Sequence, residues 1–139
     1  MNYRLSVEPD AKADDQSLIR SAINEFNMNV TGDRNYSPLV IFVRDDDDNI
    51  VGGILGDIWG GWLHINHLWI TEALRKHGYG QQLMALAETQ AREKGCRGVH
   101  LETHSFQAPA FYLKLGYVIF GELADFPQGH TFYVLKKML

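Results

Sequence analysis

Apolar and polar positions change period several times along the chain, and each change marks an element. Residues 2 to 8 alternate, with Tyr3, Leu5 and Val7 set against Asn2, Arg4 and Ser6, which predicts a first strand. A helical period follows: Leu18, Ile19, Ala22, Ile23 and Phe26 fall on one face of a helix that Asp14 or Asp15 can cap and that runs to about Asn27. From Asn27 to Pro38 the pattern lapses into a polar connection. Leu39 to Arg44 and Ile50 to Trp59 read as two strands, and Gly60-Gly61 turns the second back into a third, Trp62 to Ile70. Plain alternation along that third strand puts His64, Asn66 and Leu68 on one face and Leu63, Ile65, His67 and Trp69 on the other, so His64 and His67 are expected to point apart.

A second helix is predicted from about Tyr79 to Lys94, with Leu83, Ala87 and Ala91 as its buried stripe and Gly95 as its stop. Val99 to Thr103 is a strand in which His100 and Glu102 share a face, with His104 at its end. Ala108 to Leu115 forms a short helix. Tyr117 to Leu123 and Thr131 to Lys137 close the chain as a hairpin, joined by a loop, Asp125 to His130, placed to close over a bound molecule. This order predicts one mixed α/β (α+β) sheet with helices on both faces.

Composition narrows the class without naming a function. With 139 residues, 45% hydrophobic and 22% charged, the chain is expected to form a single domain, residues 1 to 139, with a substantial core. No apolar run approaches the roughly 20 residues of a membrane span, and the first ten residues contain no apolar signal segment. Cys96 has no intrachain partner for a disulfide, which fits a reducing, cytoplasmic setting. A net charge of -4 argues against a nucleic-acid partner. The run Asp45 to Asp48 lacks the spacing of a calcium loop and reads as a solvated hairpin tip, so no metal is expected.

The chemistry concentrates between Trp62 and Ala87. A strand there leads through Arg75, Lys76, His77, Gly78, Tyr79 and Gly80 into a helix. The first amides of a helix lack internal partners and carry the positive end of its dipole, so such a junction can hold phosphate. Two glycines admit close backbone approach, and the three basic side chains add charge-assisted bonds. Leu83 stands where a dinucleotide fingerprint needs its third glycine, and no Gly-Lys-Ser/Thr follows, so a different phosphate ligand is indicated.

Leu68-Trp69-Ile70, four residues, then Arg75-x-x-Gly78-x-Gly80 resembles the acetyl-CoA pyrophosphate loop of the GCN5-related N-acetyltransferase (GNAT) family. Ala108 to Tyr117, with Phe111-Tyr112 and Gly116-Tyr117, resembles that family's later signature at the usual distance downstream. The resemblance implies a central, mostly antiparallel sheet of about seven strands, splayed at the middle. It implies acetyl-CoA as co-substrate, with Leu68, Trp69 and Ile70 pairing its pantetheine arm and Arg75, Lys76, His77, Gly78, Tyr79, Gly80 and Gln81 holding its phosphates. It implies Tyr112 as the general acid at the departing sulfur.

The base is less determined. Family members often carry a Glu on the central strand, whereas this chain offers Asn66 and His67; Glu72, Glu102 and His104 are further candidates, and His67 or a water held by Asn66 is favoured. Ser105 stands where the family often has Asn. The implied reaction is direct acetyl transfer in a ternary complex to a primary amine, and the acidic balance favours a small cationic acceptor. A protein amino terminus or lysine, or a non-catalytic acyl-CoA sensor, are the alternatives. Many relatives are homodimers, although no interface stripe is legible here.

Overall fold

The computed structural model describes all of Met1–Leu139. It divides into two compact units, Met1–Arg34 and Asn35–Leu139.

The first unit is a helix with an amino-terminal tail. Helix α1 spans Ala13–Thr31, longer at its end than the periodicity predicts. Its N-cap is Lys12, which makes no side-chain capping bond, while Asp14 and Asp15 sit in the first turn where the helix dipole favours them. The stop is Gly32 at φ 73°, whose amide returns to the Met28 carbonyl at 2.8 Å. Only glycine takes that left-handed conformation cheaply, so the helix runs through Met28–Thr31 until it meets one. Arg34 folds back on the helix, donating to Glu25 at 3.1 Å and Asn29 at 2.6 Å.

Residues 2 to 8 form no strand, contrary to their alternation. Alternation specifies which side chains share a face, but a strand exists only where a neighbour accepts its backbone hydrogen bonds, and here none does. The sheet therefore has six strands and not about seven.

The second unit holds that sheet, in the order β1-β2-β3-β4-β6-β5. The strands are β1 (Ser37–Arg44), β2 (Ile50–Trp59), β3 (Trp62–Ile70), β4 (Gly98–His104), β5 (Val118–Ala124) and β6 (Thr131–Met138). All neighbours are antiparallel except β3 and β4, which the crossover helix α2 (Tyr79–Glu93) joins in parallel. A short helix α3 (Pro109–Lys114) follows β4. At the β1–β2 turn the Asp45 carboxylate accepts the amides of Asp47 at 3.0 Å and Asn49 at 2.9 Å, an Asx-type cap that accounts for the aspartate run.

The core lies on one face. Met84, Ala87 and Ala91 of α2 pack with Ile54, Ile58, Leu63, Ile65, Val99, Leu101 and Leu135, and Tyr112 of α3 joins them, while Leu83 is also buried. Glu88, otherwise buried in this face of α2, accepts from Lys137 of β6 at 2.5 Å, so its charge is paired. The register fixes the opposite face: Leu55, Asp57, His64, His100 and Glu102 point away from α2.

Candidate active site

Two irregularities of β3 create the site. The strand pairs with β4 only from Trp62↔Gly98 to Ile65↔Leu101, whereas its antiparallel pairing with β2 continues to Gly52↔Ile70. Beyond Ile65 the two parallel strands part, leaving a cleft between Asn66–Ile70 and the end of β4. The second irregularity is a bulge. Gly56 pairs Ile65 and Leu55 pairs His67, so Asn66 is the extra residue. Gly56 permits this, because a Cβ there would lie 2.7 Å from the His64 carbonyl oxygen.

The bulge corrects the expected facing. His67 shares a face with Leu55, His64 shares one with Asp57, and Leu55 and Asp57 lie on the same side of β2. The two histidines thus point to the same face, and one inserted residue has shifted the alternation by one step. Leu68 moves in the other direction, opposite the buried Ile54, and packs against the core.

At the top of β3 the chain turns sharply into α2. A single 3₁₀ turn, Glu72–Leu74, is followed by Arg75, whose Nε donates to the Ile70 carbonyl at 3.0 Å. Lys76 and Gly78 both adopt positive φ, 66° and 84°. Gly78 is the N-cap of α2, and the Gln82 amide returns to its carbonyl at 3.1 Å. The amides of Tyr79, Gly80 and Gln81, the first three of the helix, have no acceptor within it. Gly80 is needed for contact: a Cβ there would lie 3.2 Å from the Phe111 ring and 3.4 Å from Ile70. This glycine lets Phe111 of α3 approach the first turn of α2.

Tyr112 follows Phe111 on α3, its ring 5.1 Å from that of Phe111 and 6.0 Å from that of Tyr117. It is 8% exposed, and burial pushes its phenol up to about 12. Such a phenol stays protonated at any physiological pH and is a standing hydrogen-bond donor.

The remaining candidates separate clearly. His67 is exposed and borders a shallow apolar recess with Trp69, Leu55, Phe42 and Gly53. Glu72 sits on the exposed 3₁₀ turn. His104 is held among rings, stacked on Phe106 and Phe126 with centroids 5.2 and 5.4 Å away, and its Nδ1 contacts Gln107 Oε1 at 3.2 Å. Ser105 ties this loop to β6, donating its amide to the Thr131 carbonyl and accepting the Thr131 amide at its hydroxyl.

On the face opposite α2, the structure assembles a polar group that the sequence does not reveal as one. His64 Nε2 lies 2.8 Å from Glu102 Oε2, and the His64 ring stacks on His100 with centroids 4.4 Å apart. Asp57, across from His64, accepts from the Asn66 amide at 2.6 Å and from the Tyr36 hydroxyl. These bonds hold the Asp57 carboxyl below its ordinary range, Tyr36 contributing most, and push the Tyr36 phenol up. Burial, followed by the neighbouring charge of His64, lowers His100. Donor atoms of His64, His100 and Glu102 all lie within 4.8 Å of one another. Tyr36 and Asp57 give no local sequence signal, since only the β1–β2–β3 register brings them to Asn66.

Comparison with known proteins agrees with this geometry. The acetyltransferase (GNAT) family model matches residues 6–117. The chain is 33% identical to an acetyltransferase of Agrobacterium fabrum, over 99% of this chain and 98% of that protein. It is 42% identical to the Blasticidin-S acetyltransferase of Streptomyces morookaense, over 65% of this chain and 67% of that protein. The crystal structure of an acetyltransferase from Bacillus cereus superposes with a TM-score of 0.86 at 33% identity, covering 96% of this chain and 98% of that one. The cleft between parting parallel strands, the glycine loop at the head of α2 and the relatives together establish that the chain belongs to the GNAT acetyltransferase family and is an acetyl-CoA-dependent acyltransferase.

Proposed function

We propose that the protein transfers the acetyl group of acetyl-CoA to a primary amine on a small cationic molecule. The observation that carries this reading is the cleft where β3 and β4 part, with its phosphate-type loop at one end and the buried Tyr112 phenol on the α3 side. The first amides of α2, those of Tyr79, Gly80 and Gln81, with Gly78, Arg75, Lys76 and His77, receive the pyrophosphate. The unladdered edge Leu68–Trp69–Ile70 offers backbone groups to the pantetheine arm, and Asn66 and His67 border the acceptor. The amine attacks the thioester carbonyl directly, its C–N bond forming as the C–S bond breaks. Tyr112 donates a hydrogen bond to the sulfur as charge develops there. A thiol near 8.5 is the stronger acid, so this phenol stabilises the leaving thiolate mainly as a donor.

Three observations support the finer points. The name of the Blasticidin-S relative points to a small-molecule acceptor, and the net charge of -4 attracts a cation. The family match crosses from one compact unit into the other, which favours reading residues 1 to 139 as one domain.

The test is calorimetric titration of acetyl-CoA into the protein and into Gly78→Glu. A Cβ at Gly78 would meet nothing closer than 3.9 Å, so the substitution costs backbone strain and sets a carboxylate against the phosphates. Micromolar binding by the parent, weakened more than tenfold in the variant, is expected. Thiol release with blasticidin S, streptothricin, spermidine and an alanine-initiated peptide then separates the small-molecule reading from a protein acceptor. Binding without turnover on any amine would favour a sensor.

A further inference from the structure

Resting on the acetyl-transfer reading, we infer that His64, oriented by Glu102, is the group that takes the proton from the attacking amine, on the face of the cleft opposite Tyr112.

The argument begins with position. His64↔His100 and Ile65↔Leu101 are the last pairs before β3 and β4 part, so His64 stands at the floor of the cleft. Alternation at that point is still regular: Leu63 and Ile65 point into the core shared with Tyr112, and His64 points the other way. Direct attack on a flat thioester requires the amine on one side of the carbonyl and a donor near the departing sulfur. A proton donor and a proton acceptor on opposite faces of the same gap meet that requirement. His67, the side chain favoured on sequence grounds, opens instead on an apolar recess lined by Trp69 and Leu55.

Orientation comes next. The 2.8 Å contact with Glu102 engages His64 Nε2, so that nitrogen donates to the carboxylate and the basic lone pair is at Nδ1. Both side chains are about one-third exposed, open enough for a proton to leave to solvent and enclosed enough to hold geometry. The groups facing His64 are Asp57 from β2, His100 and Glu102 from β4, and, one strand further, Lys136 opposite His100. Two carboxylates flank the ring, Glu102 in direct contact and Asp57 across the β2 ladder. His100, stacked beside it, is disfavoured as a cation by burial and by the neighbouring charge of His64.

The step balances simply. The acceptor's ammonium gives one proton to His64 Nδ1, directly or through one water, and the neutral nitrogen forms the C–N bond. As the C–S bond breaks, the second nitrogen-bound proton is released and the thiolate is protonated, giving amide, CoA thiol and one net proton. Glu102 touches no reacting atom and is a positioning residue.

The experiment is the pH dependence of kcat/KM for the parent, His64→Ala, His64→Gln, Glu102→Gln and His67→Ala, using whichever amine of the panel above turns over fastest. The parent is expected to lose activity on the acid side, where a general base becomes protonated. His64→Ala and His64→Gln lower kcat by about 10² to 10³-fold and lose that acid limb, with acetyl-CoA affinity unchanged by calorimetry. Added imidazole restores turnover to the alanine variant. Glu102→Gln lowers kcat about tenfold and displaces the limb without changing acetyl-CoA affinity. Overturning results are an acid limb that persists in both His64 variants, a limb that disappears with His67→Ala instead, or a parent that carries stoichiometric zinc and loses turnover to a chelator. A parent that binds acetyl-CoA and acetylates no amine defeats the broader reading instead.

Discussion

The two halves of β3 are nine residues of one strand with opposite fates. Trp62–Ile65 has ladders on both sides, and its Leu63 and Ile65 are 0% and 3% exposed. Asn66–Ile70 keeps only its β2 neighbour, and Asn66, His67 and Trp69 are exposed. The composition of the halves hardly differs. The distinction lies in pairing: where β4 leaves, backbone groups and side chains become available to a ligand, and the bulge at Asn66 presents His67 and His64 on one side. Two-sided pairing and an open edge are thus divided along a single strand.

That division is open to direct attack. The largest effect is expected from Leu63→Ala in the paired half, which removes a fully buried side chain beneath α2 and costs about 3 kcal/mol, read as a lowered urea midpoint. A comparable loss from Trp69→Ala, half-exposed in the open half, would erase the distinction. Next in size is Tyr112→Phe. Keeping the ring preserves the packing with Phe111 and Tyr117, so the urea midpoint stays within about 0.5 kcal/mol of the parent while kcat falls about 10²-fold. Because the parent phenol titrates only near 12, its ionisation causes no loss of activity between pH 7 and 10. Unchanged turnover would remove Tyr112 from the chemistry.

The smallest effect is expected at the boundary between the halves. Asp57→Asn weakens the bonds to Tyr36 and Asn66 and lowers stability at pH 7 by about 1 kcal/mol. The folded Asp57 carboxyl titrates below 3.8, its ordinary value, so its stabilising contribution is complete above that value and is lost as pH falls through the folded one. The variant should therefore lie closest to the parent at low pH. A gap that widens on acidification would contradict the assigned sign.

Legibility in the sequence followed the range of the forces involved. The ends of β2, β3 and α2 are set by local period, turn glycines and caps, and they fall where the pattern puts them or within a residue. The glycine loop is also local, because Gly78 must sit at φ 84° and the helix amides follow it in sequence. Residues 2 to 8 mark the limit, since their alternation named a face and could not supply a partner strand. The His64–His67 error has the same origin in reverse. An extra residue in β3 is visible only from β2, where Gly56 lets the His64 carbonyl approach.

The sequence alone determined the helix α2, the glycine turn that opens it and the short helix α3 that carries Tyr112, because each depends on neighbours a few residues apart. Only the tertiary structure decided where β3 and β4 part, which face each histidine serves, and that Glu102 and Asp57 flank His64. Those outcomes depend on register between strands as much as 38 residues apart in sequence, and a shift of one residue reverses every face that follows.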